Sequence, residues 1–213
     1  MTMRCIRVER IGDFDLTSTS IPSIGPNDVL VQVEVAGLCR TDLKLIRVGH
    51  RDLTLPRIPG EEVVGRVAAI GSGVINVTLG ERVYLYPGVW CGTCAACRSG
   101  AENLCRSMRI MGFHRDGGMA EYVAVPAQSV LPVPATLQPE EAVFAEPLSC
   151  CLNALELGGT REGATVAIWG AGPAGTLLNR ASRALGARPI NIERDERRRA
   201  LIEGVAVPPS QAV

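Results

Sequence analysis

Hydrophobic and polar residues alternate in short runs along the first part of the chain. The clearest run, residues 28–37 (DVLVQVEVAG), places β-branched side chains at every second position, as in a half-buried strand. Similar runs predict strands within residues 61–73, 81–88, 117–126 and 129–134. Many short strands separated by turn residues predict a small barrel or sandwich.

After Pro134 the apolar spacing changes from that of strands to that of helices. Residues 139–158 predict a helix with a break or kink at Pro147. The following segments predict a strand that enters a glycine turn, then helix, strand, helix and a short strand, at residues 164–175, 176–186, 188–193, 195–204 and 205–208. This order is typical of the start of a parallel α/β sheet. We therefore predict two domains, residues 1–158 and 159–213.

Composition excludes several classes of protein. The 213 residues carry 22 Lys and Arg against 22 Asp and Glu, so no net charge draws the chain to nucleic acid or anionic lipid. No apolar stretch approaches the roughly 20 residues that a membrane-spanning helix needs. The first ten residues, MTMRCIRVER, do not resemble a secretory signal. We expect a cytoplasmic protein.

A cysteine-rich segment lies within residues 88–106. The spacing C-x2-C-x2-C-x7-C lets one loop surround a tetrahedral metal with four thiolates, which selects zinc or an iron–sulfur cluster. Unconnected thiols and a disulfide are the alternatives. We predict a structural zinc held by Cys91, Cys94, Cys97 and Cys105.

A glycine-rich turn lies between a predicted strand and a predicted helix. In this position the motif G-x-G-x-x-G allows a tight turn, close approach of a pyrophosphate, and close packing of helix on strand. The acidic Glu193 near the end of the next strand favours NAD, while the adjacent Arg194 leaves NADP open. A glycine turn without a ligand is the alternative. The predicted cofactor-binding residues of the turn are Gly170, Gly172, Pro173 and Gly175.

A third group of candidate residues combines one soft metal ligand, a thiolate, with hard carboxylate ligands. Cys39 with Glu61, Glu62 and Glu146 offers a thiolate and carboxylates for a second, catalytic zinc. Sequence spacing does not bring these residues together. Taken alone, the residues favour a buried core thiol and surface carboxylates over a metal site.

Six motifs occur in the order typical of one enzyme family. They are G-x-C-x-T-D, G-x-E-x-x-G, the four cysteines, D-G-G-x-A-E-Y, E-P-L-S and G-x-G-P-x-G, between about residue 4 and about residue 204. In these motifs the chain resembles the medium-chain zinc-dependent alcohol and polyol dehydrogenases, in particular the sorbitol, threonine and glucose dehydrogenase branch. The resemblance implies a GroES-like barrel followed by a Rossmann domain. It also implies hydride transfer between NAD or NADP and a small alcohol, namely a polyol, sugar or secondary alcohol.

The resemblance also implies roles for individual residues. Cys39 and Glu62 would be ligands of the catalytic zinc, and Glu146 a nearby or exchanging ligand. Thr41 would relay the proton of the alcohol, and Arg40 would meet the pyrophosphate of the cofactor.

Two departures from the family weaken this expectation. Glu61 stands where the family has a zinc-binding histidine, so four anionic ligands would meet one zinc ion. The second half of the dinucleotide domain does not follow Pro208. Two alternatives therefore stay open: a shortened, impaired zinc protein that acts as a binding module, or a zinc lyase or isomerase. A homo-oligomer or a completing partner chain would accompany the shortened form.

Overall fold

The computed structural model describes residues 1–211 of the chain. These residues form two compact units, Met1–Phe144 and a second that begins at Ala145. The strands are β1 Thr2–Arg10, β2 Asp13–Ser20, β3 Asp28–Ala36, β4 Val63–Ile70, β5 Arg82–Leu85, β6 Gly88–Val89, β7 Arg109–Ile110, β8 Tyr122–Pro126, β9 Val130–Pro132, β10 Thr165–Trp169, β11 Arg188–Ile192 and β12 Val205–Val207. The helices are α1 Arg40–Val48, α2 Ala95–Arg98, α3 Pro139–Ala142, α4 Ala145–Leu157, α5 Pro173–Ala184 and α6 Glu196–Arg199.

The first unit is built around a five-stranded antiparallel sheet in the order β8-β3-β4-β5-β9. Alternate residues of the strands turn inward, so Val29 and Val31 on β3 pack with Val63 on β4 and Val83 on β5, all fully buried. Burying one such valine contributes about 1.5 kcal/mol or more. The strands predicted from the alternating pattern are thus confirmed, with shorter bounds.

Strands β1 and β2 form a hairpin that the alternation did not predict. β1 buries Met3, Cys5 and Val8, whereas most of β2 is exposed. Isolated bridges from Cys5 to Ala120 and from Val8 to Arg57 connect β1 to neighbouring segments of the same unit. The alternation is interrupted after Cys5, because Arg7 stands where the period would place a buried residue and Val8 is buried instead.

The second unit begins with α4 and contains a three-stranded parallel sheet in the order β10-β11-β12. The predicted alternation of strands and helices is confirmed here. Helix α6 is shorter than predicted, because residues 200–204 turn before β12 begins. The domain boundary predicted after residue 158 stays a prediction. The compact units of the structure divide after Phe144.

The predicted break in the helix at Pro147 was wrong, because the interruption lies earlier in the chain. The chain leaves the helical path at Val143 and Phe144, between α3 and α4. Pro147 lies in the first turn of α4, where a missing backbone N–H removes no helical hydrogen bond. Within residues 1–211 we find no helix that combines the length and apolar character needed to span a bilayer.

Candidate functional site

The four cysteines of the predicted zinc lobe lie together. Strands β6 and β7 bring the two ends of the lobe side by side, and α2 carries Cys97. The Sγ atoms are 3.5 Å apart for Cys94 and Cys97, 3.6 Å for Cys105 and Cys91, and 3.9 Å for Cys91 and Cys97. All four lie within 4.8 Å of one another.

These distances fit a tetrahedral zinc. Four sulfur ligands at about 2.3 Å from a zinc ion would be about 3.8 Å apart. The pKa of Cys91 is lowered to about 6 by hydrogen bonds, first from the backbone of Thr93 and then from its hydroxyl and from the backbone of Cys94. These donors stabilise the thiolate, which is the form that binds metal. The donor set and its spacing therefore fit zinc.

The residues of the predicted catalytic site begin at the N-terminus of α1, a helix that the sequence pattern did not predict. Cys39 caps this helix: its Sγ accepts a hydrogen bond from the backbone N–H of Thr41 at 3.4 Å. The backbone N–H of Cys39 donates to Oδ2 of Asp42 at 2.9 Å. This reciprocal capping box fixes the position of the thiol. Arg40, the first residue of the helix, is exposed.

Asp42 joins this helix to the segment that carries the two glutamates. Its side chain is only 1% exposed, and its Oδ1 accepts a hydrogen bond from the backbone N–H of Gly60 at 2.9 Å. Gly60 has φ +105°, a conformation that favours glycine. Glu61 and Glu62 follow directly. Asp42 is thus the organising residue that sequence analysis missed, although it is the last letter of G-x-C-x-T-D.

Glu62 packs over Gly37. The backbone N–H of Gly37 donates to the Glu62 carbonyl at 2.9 Å, and a Cβ at Gly37 would collide with the Glu62 carboxylate. Glu62 is 8% exposed. The first glycine of the motif therefore makes the space that a buried carboxylate fills.

The carboxylates of this segment act on the thiol of Cys39. The pKa of Cys39 is raised, first by burial and also by the negative charges of Glu61 and Glu62, against the effect of the Thr41 hydrogen bonds. A bound cation would lower the pKa of Cys39, because its positive charge would stabilise the thiolate against both burial and the neighbouring carboxylates.

The structure leaves the predicted ligand set incomplete as a metal centre. Glu146 belongs to the second unit, where its Oε1 accepts a weak hydrogen bond from the Cys150 thiol at 3.4 Å. Within residues 1–211 the cysteine lobe is the only group of three or more potential ligands whose atoms come this close. The catalytic set of Cys39, Glu61, Glu62 and Glu146 therefore stays a prediction.

The D-G-G motif forms hydrogen bonds with the segment that directly precedes Glu61 and Glu62. Gly118 N–H donates to the Gly60 carbonyl at 3.0 Å, and Gly117 N–H donates to the Ile58 carbonyl at 2.7 Å. The Asp116 carboxylate accepts from Arg57 at 2.9 Å and from the Ile58 N–H at 3.1 Å. A Cβ at Gly117 would overlap the Gly60 carbonyl oxygen. These glycines allow two backbone segments to touch.

In the second unit the glycine turn has the predicted strand–turn–helix geometry. Gly170 follows β10 with φ +109°, Gly172 caps α5, and Pro173 is its first residue. A Cβ at Gly175 would overlap the Gly170 carbonyl oxygen, whereas a Cβ at Gly172 would meet no atom within 4 Å. The space beside Gly172 is therefore open to a ligand.

A buried asparagine on β11 holds the turn in place. The side-chain N–H2 of Asn191 donates to the carbonyls of Gly170 at 2.8 Å and Gly175 at 3.2 Å. Its Oδ1 accepts from Asn179 at 2.7 Å. Sequence analysis did not identify this residue, because a polar residue in a predicted strand carries no sign of its partner.

Glu193 follows β11 and bends back to the same turn. Its Oε2 accepts from the Ala171 N–H at 2.9 Å, and its Oε1 accepts from the Asp195 N–H at 2.9 Å. These backbone donors, Asp195 first, lower the pKa of Glu193. An anionic acceptor therefore lies at the turn, next to the exposed Arg194.

Comparison with known proteins finds relatives in both sequence and structure. Residues 25–135 match the family model of the alcohol dehydrogenase GroES-like domain. The chain is 36% identical over 180 residues to D-altritol 5-dehydrogenase of Agrobacterium fabrum, covering 83% of this chain and 53% of that protein. It is 36% identical over 195 residues to L-threonine 3-dehydrogenase of Pyrococcus horikoshii, covering 90% of this chain and 56% of that protein.

A solved structure of a protein from Sinorhizobium meliloti 1021, bound to NADP, aligns with a TM-score of 0.93 at 40% identity. The alignment covers 99% of this chain and 63% of that one. The chain belongs to the medium-chain zinc-dependent alcohol dehydrogenase family. The predicted fold class, a GroES-like domain followed by part of a Rossmann domain, is confirmed. The chain spans little more than half the length of the curated relatives it matches.

Proposed function

We propose that this chain forms the catalytic core of an oxidoreductase that transfers a hydride between a small alcohol and NAD or NADP. The observation that carries the proposal is the hydrogen bond between Asp42 and Gly60. This hydrogen bond joins the helix that presents Cys39 to the segment that presents Glu62. The negative charge of Glu62 contributes to the raised pKa of Cys39. The names of the similar proteins, which are dehydrogenases of a polyol and of a hydroxy amino acid, support an oxidoreductase over a lyase or a binding module.

The residues at the helix N-terminus would provide the reaction centre. Cys39 and Glu62 would hold a zinc ion, with Glu61 and Glu146 as further candidate ligands. When bound, this metal supplies Lewis-acid polarisation of the alcohol or carbonyl oxygen. Thr41, two residues after Cys39, would carry the proton of the alcohol away, and its backbone N–H already holds the Cys39 sulfur.

The glycine turn would bind the adenosine half of the cofactor. The open space at Gly172, at the N-terminus of α5, suits a pyrophosphate, because the free N–H groups and the helix dipole favour an anion. Gly170, Pro173 and Gly175 shape the turn. Glu193 would accept hydrogen bonds from the ribose and so favours NAD, whereas Arg194 could pair with the phosphate of NADP. Arg40 would contribute a positive charge toward the pyrophosphate.

The cysteine lobe would hold a structural zinc. Four thiolates leave no open coordination position, so this ion would contribute folding free energy and take no part in the reaction. A homo-oligomer or a completing partner chain, a cytoplasmic location, and a catalytic domain that extends to residue 158 are further parts of the proposal.

The activity is tested by supplying zinc-loaded protein with D-altritol or L-threonine and following the formation of NADH and NADPH. The matched control is Cys39→Ser, which keeps a cap for α1 but removes the soft metal ligand. We expect alcohol-dependent reduction of the cofactor that the control loses by about a hundredfold or more. Equal rates in the two proteins, or no alcohol-dependent reduction with any polyol, sugar or secondary alcohol when a candidate completing chain is also supplied, would contradict the proposal.

A further inference from the structure

One peptide unit at the start of the glycine turn is held at both of its polar ends. The carbonyl of Gly170 accepts a hydrogen bond from Nδ2 of Asn191 at 2.8 Å. The N–H of the same peptide, which belongs to Ala171, donates to Oε2 of Glu193 at 2.9 Å. Because the C=O and N–H of a trans peptide point in opposite directions, the two side chains contact opposite edges of one plane. Rotation of this peptide would break both hydrogen bonds.

Asn191 also connects the turn to helix α5. Its Nδ2 donates a second hydrogen bond, to the carbonyl of Gly175 at 3.2 Å. With both N–H groups of the amide used by carbonyls, its Oδ1 needs a donor, and Nδ2 of Asn179 on α5 supplies one at 2.7 Å. The nitrogen and the oxygen of the Asn191 amide are thus both engaged, and these partners determine which end of the amide is which.

The two asparagines form a polar pair inside the second unit. Asn191 is 0% exposed and Asn179 is 1% exposed. The Oδ1 atom of Asn179 is buried and has no hydrogen-bond partner within residues 1–211, which is unfavourable. Folding stability alone gives little reason to keep such an acceptor in the interior. The shape of the glycine turn gives a reason, because the pair determines it.

We propose that Asn191, supported by Asn179, is a positioning residue for the binding of the dinucleotide. This inference rests on the proposed function, because the ligand is the cofactor of that reaction. Asn191 and Glu193 fix the first peptide of the turn, and Asn191 ties this peptide to Gly175 in the first turn of α5. The open space at Gly172 therefore keeps its shape without a ligand, and the diphosphate does not have to order the turn when it binds.

Glu193 can hold the turn and still meet the ribose. Its two oxygens accept from the N–H groups of Ala171 and Asp195, and a carboxylate has lone pairs left after accepting one hydrogen bond at each oxygen. Asn191, in contrast, is fully buried and does not touch the ligand. Its effect on the cofactor passes through the turn, which makes it a positioning residue.

The test is a titration of the whole chain with ADP by isothermal calorimetry, because ADP carries the adenosine and diphosphate that the turn would bind. At about pH 8, Asn191→Asp should bind ADP about tenfold more weakly than the wild type, since a carboxylate repels the two carbonyls. At about pH 5.5, the buried carboxyl takes up a proton and regains a donor, so the ratio of the two affinities should shrink. Asn191→Ala should lose a similar factor without recovery, because alanine gains no donor.

The matched control is Asn153→Asp, which adds the same charge at an exposed position of α4 and should bind ADP like the wild type at both pH values. Circular dichroism before each titration selects folded protein, so a loss of stability alone does not change the measured affinity. Asn179→Ala removes only the donor to the oxygen of Asn191 and should weaken binding about threefold.

The outcomes separate this inference from the proposed function. If the wild type binds ADP and the folded variants at position 191 bind it equally well, this inference is overturned and the proposed function stands. A loss in Asn191→Asp that does not shrink at the lower pH also overturns it. If neither variant at position 191 folds, unchanged affinity in Asn179→Ala overturns it. Absence of ADP binding to the wild type overturns the proposed cofactor site and this inference together.

Discussion

The buried carboxylate of Asp42 accepts the backbone N–H of Gly60 at 2.9 Å, while its other oxygen accepts the N–H of Cys39. One side chain therefore connects two motifs that are separated by 18 positions in the sequence. The position of Cys39 relative to Glu61 and Glu62 depends on this connection. Asp42 therefore positions the candidate ligands, although it is not itself a metal ligand in our proposal.

Replacing Asp42 with alanine should destabilise the chain by about 2–4 kcal/mol, because two backbone N–H groups lose their acceptor. Asp42→Asn keeps one acceptor oxygen and should cost less. Urea denaturation followed by circular dichroism measures the difference. Asp52→Ala, at an exposed position, should change stability by no more than about 0.5 kcal/mol. Equal effects at positions 42 and 52 would show that Asp42 does not organise the segment.

The zinc lobe should lose its metal when one of its thiols is replaced. We expect Cys105→Ser to lower the zinc content by about one ion per chain and to lower Tm, because metal binding supplies folding free energy in such lobes. Cys150→Ser, at an exposed cysteine outside the lobe, is the matched control. Metal analysis after gel filtration checks both. Unchanged zinc in Cys105→Ser would contradict the assignment of the lobe.

The second and third glycines of the turn, Gly172 and Gly175, should respond differently to alanine. Gly175→Ala would drive its Cβ into the Gly170 carbonyl, so we expect a loss of stability of about 1–3 kcal/mol. Gly172→Ala meets open space, so stability should stay nearly unchanged while affinity for NADH or NADPH falls, because the new methyl group occupies the space for the pyrophosphate. Denaturation and fluorescence titration separate the two effects. Normal cofactor affinity in Gly172→Ala would contradict the proposed binding site.

The barrel should have an acid-sensitive contact at Glu34. Hydrogen bonds from Arg82, first, and from Arg66 lower the pKa of Glu34 below its usual value. A carboxyl whose pKa is lower in the folded state stabilises the protein above its unfolded pKa and loses this contribution as pH falls through the folded pKa. Glu34→Gln should therefore cost about 0.5–1 kcal/mol at pH 7, a modest value because the pair is partly exposed, and almost nothing at the lowest pH.

The control for this experiment is Glu9→Gln. Glu9, whose side chain is 57% exposed, forms a single ion pair with Arg7, and ion pairs of exposed carboxylates contribute little. Denaturation at pH 7 and under acid conditions gives both values. A cost of Glu34→Gln that does not change between the two conditions would mean that the carboxylate charge is not what stabilises the barrel.

Local motifs were predictable from the sequence, whereas contacts between distant segments were not. The cysteine lobe and the glycine turn each lie within a few residues, so their spacing alone predicts their geometry. Asp42, Asp116 and Asn191 act by accepting from or donating to backbone groups far along the chain. A hydrogen bond to a backbone group leaves no complementary residue type in the sequence, so no pattern could have identified these partners.

The secondary structure was likewise predicted where the local sequence pattern was clear and missed elsewhere. Strand β3 alternates cleanly and was predicted, whereas in β1 the period is interrupted after Cys5, because Arg7 stands at the next inward position and Val8 is buried instead. Helix α1 was missed because cysteine is an unusual N-cap and the helix spans only Arg40–Val48. Pro147 was expected to break a helix and instead lies at its start, because the sequence does not show where the first turn begins.

Zinc content per chain, in the wild type and in Glu61→His, tests the central claim most directly. If Cys39 and the glutamates after Gly60 form the weaker of two metal sites, the wild-type chain should hold about one ion tightly, in the cysteine lobe, and a second ion only when zinc is in excess. Glu61→His should raise the occupancy toward about two, because a neutral imidazole replaces one of several anionic ligands. Identical zinc content in both proteins would contradict the placement of position 61 at a metal.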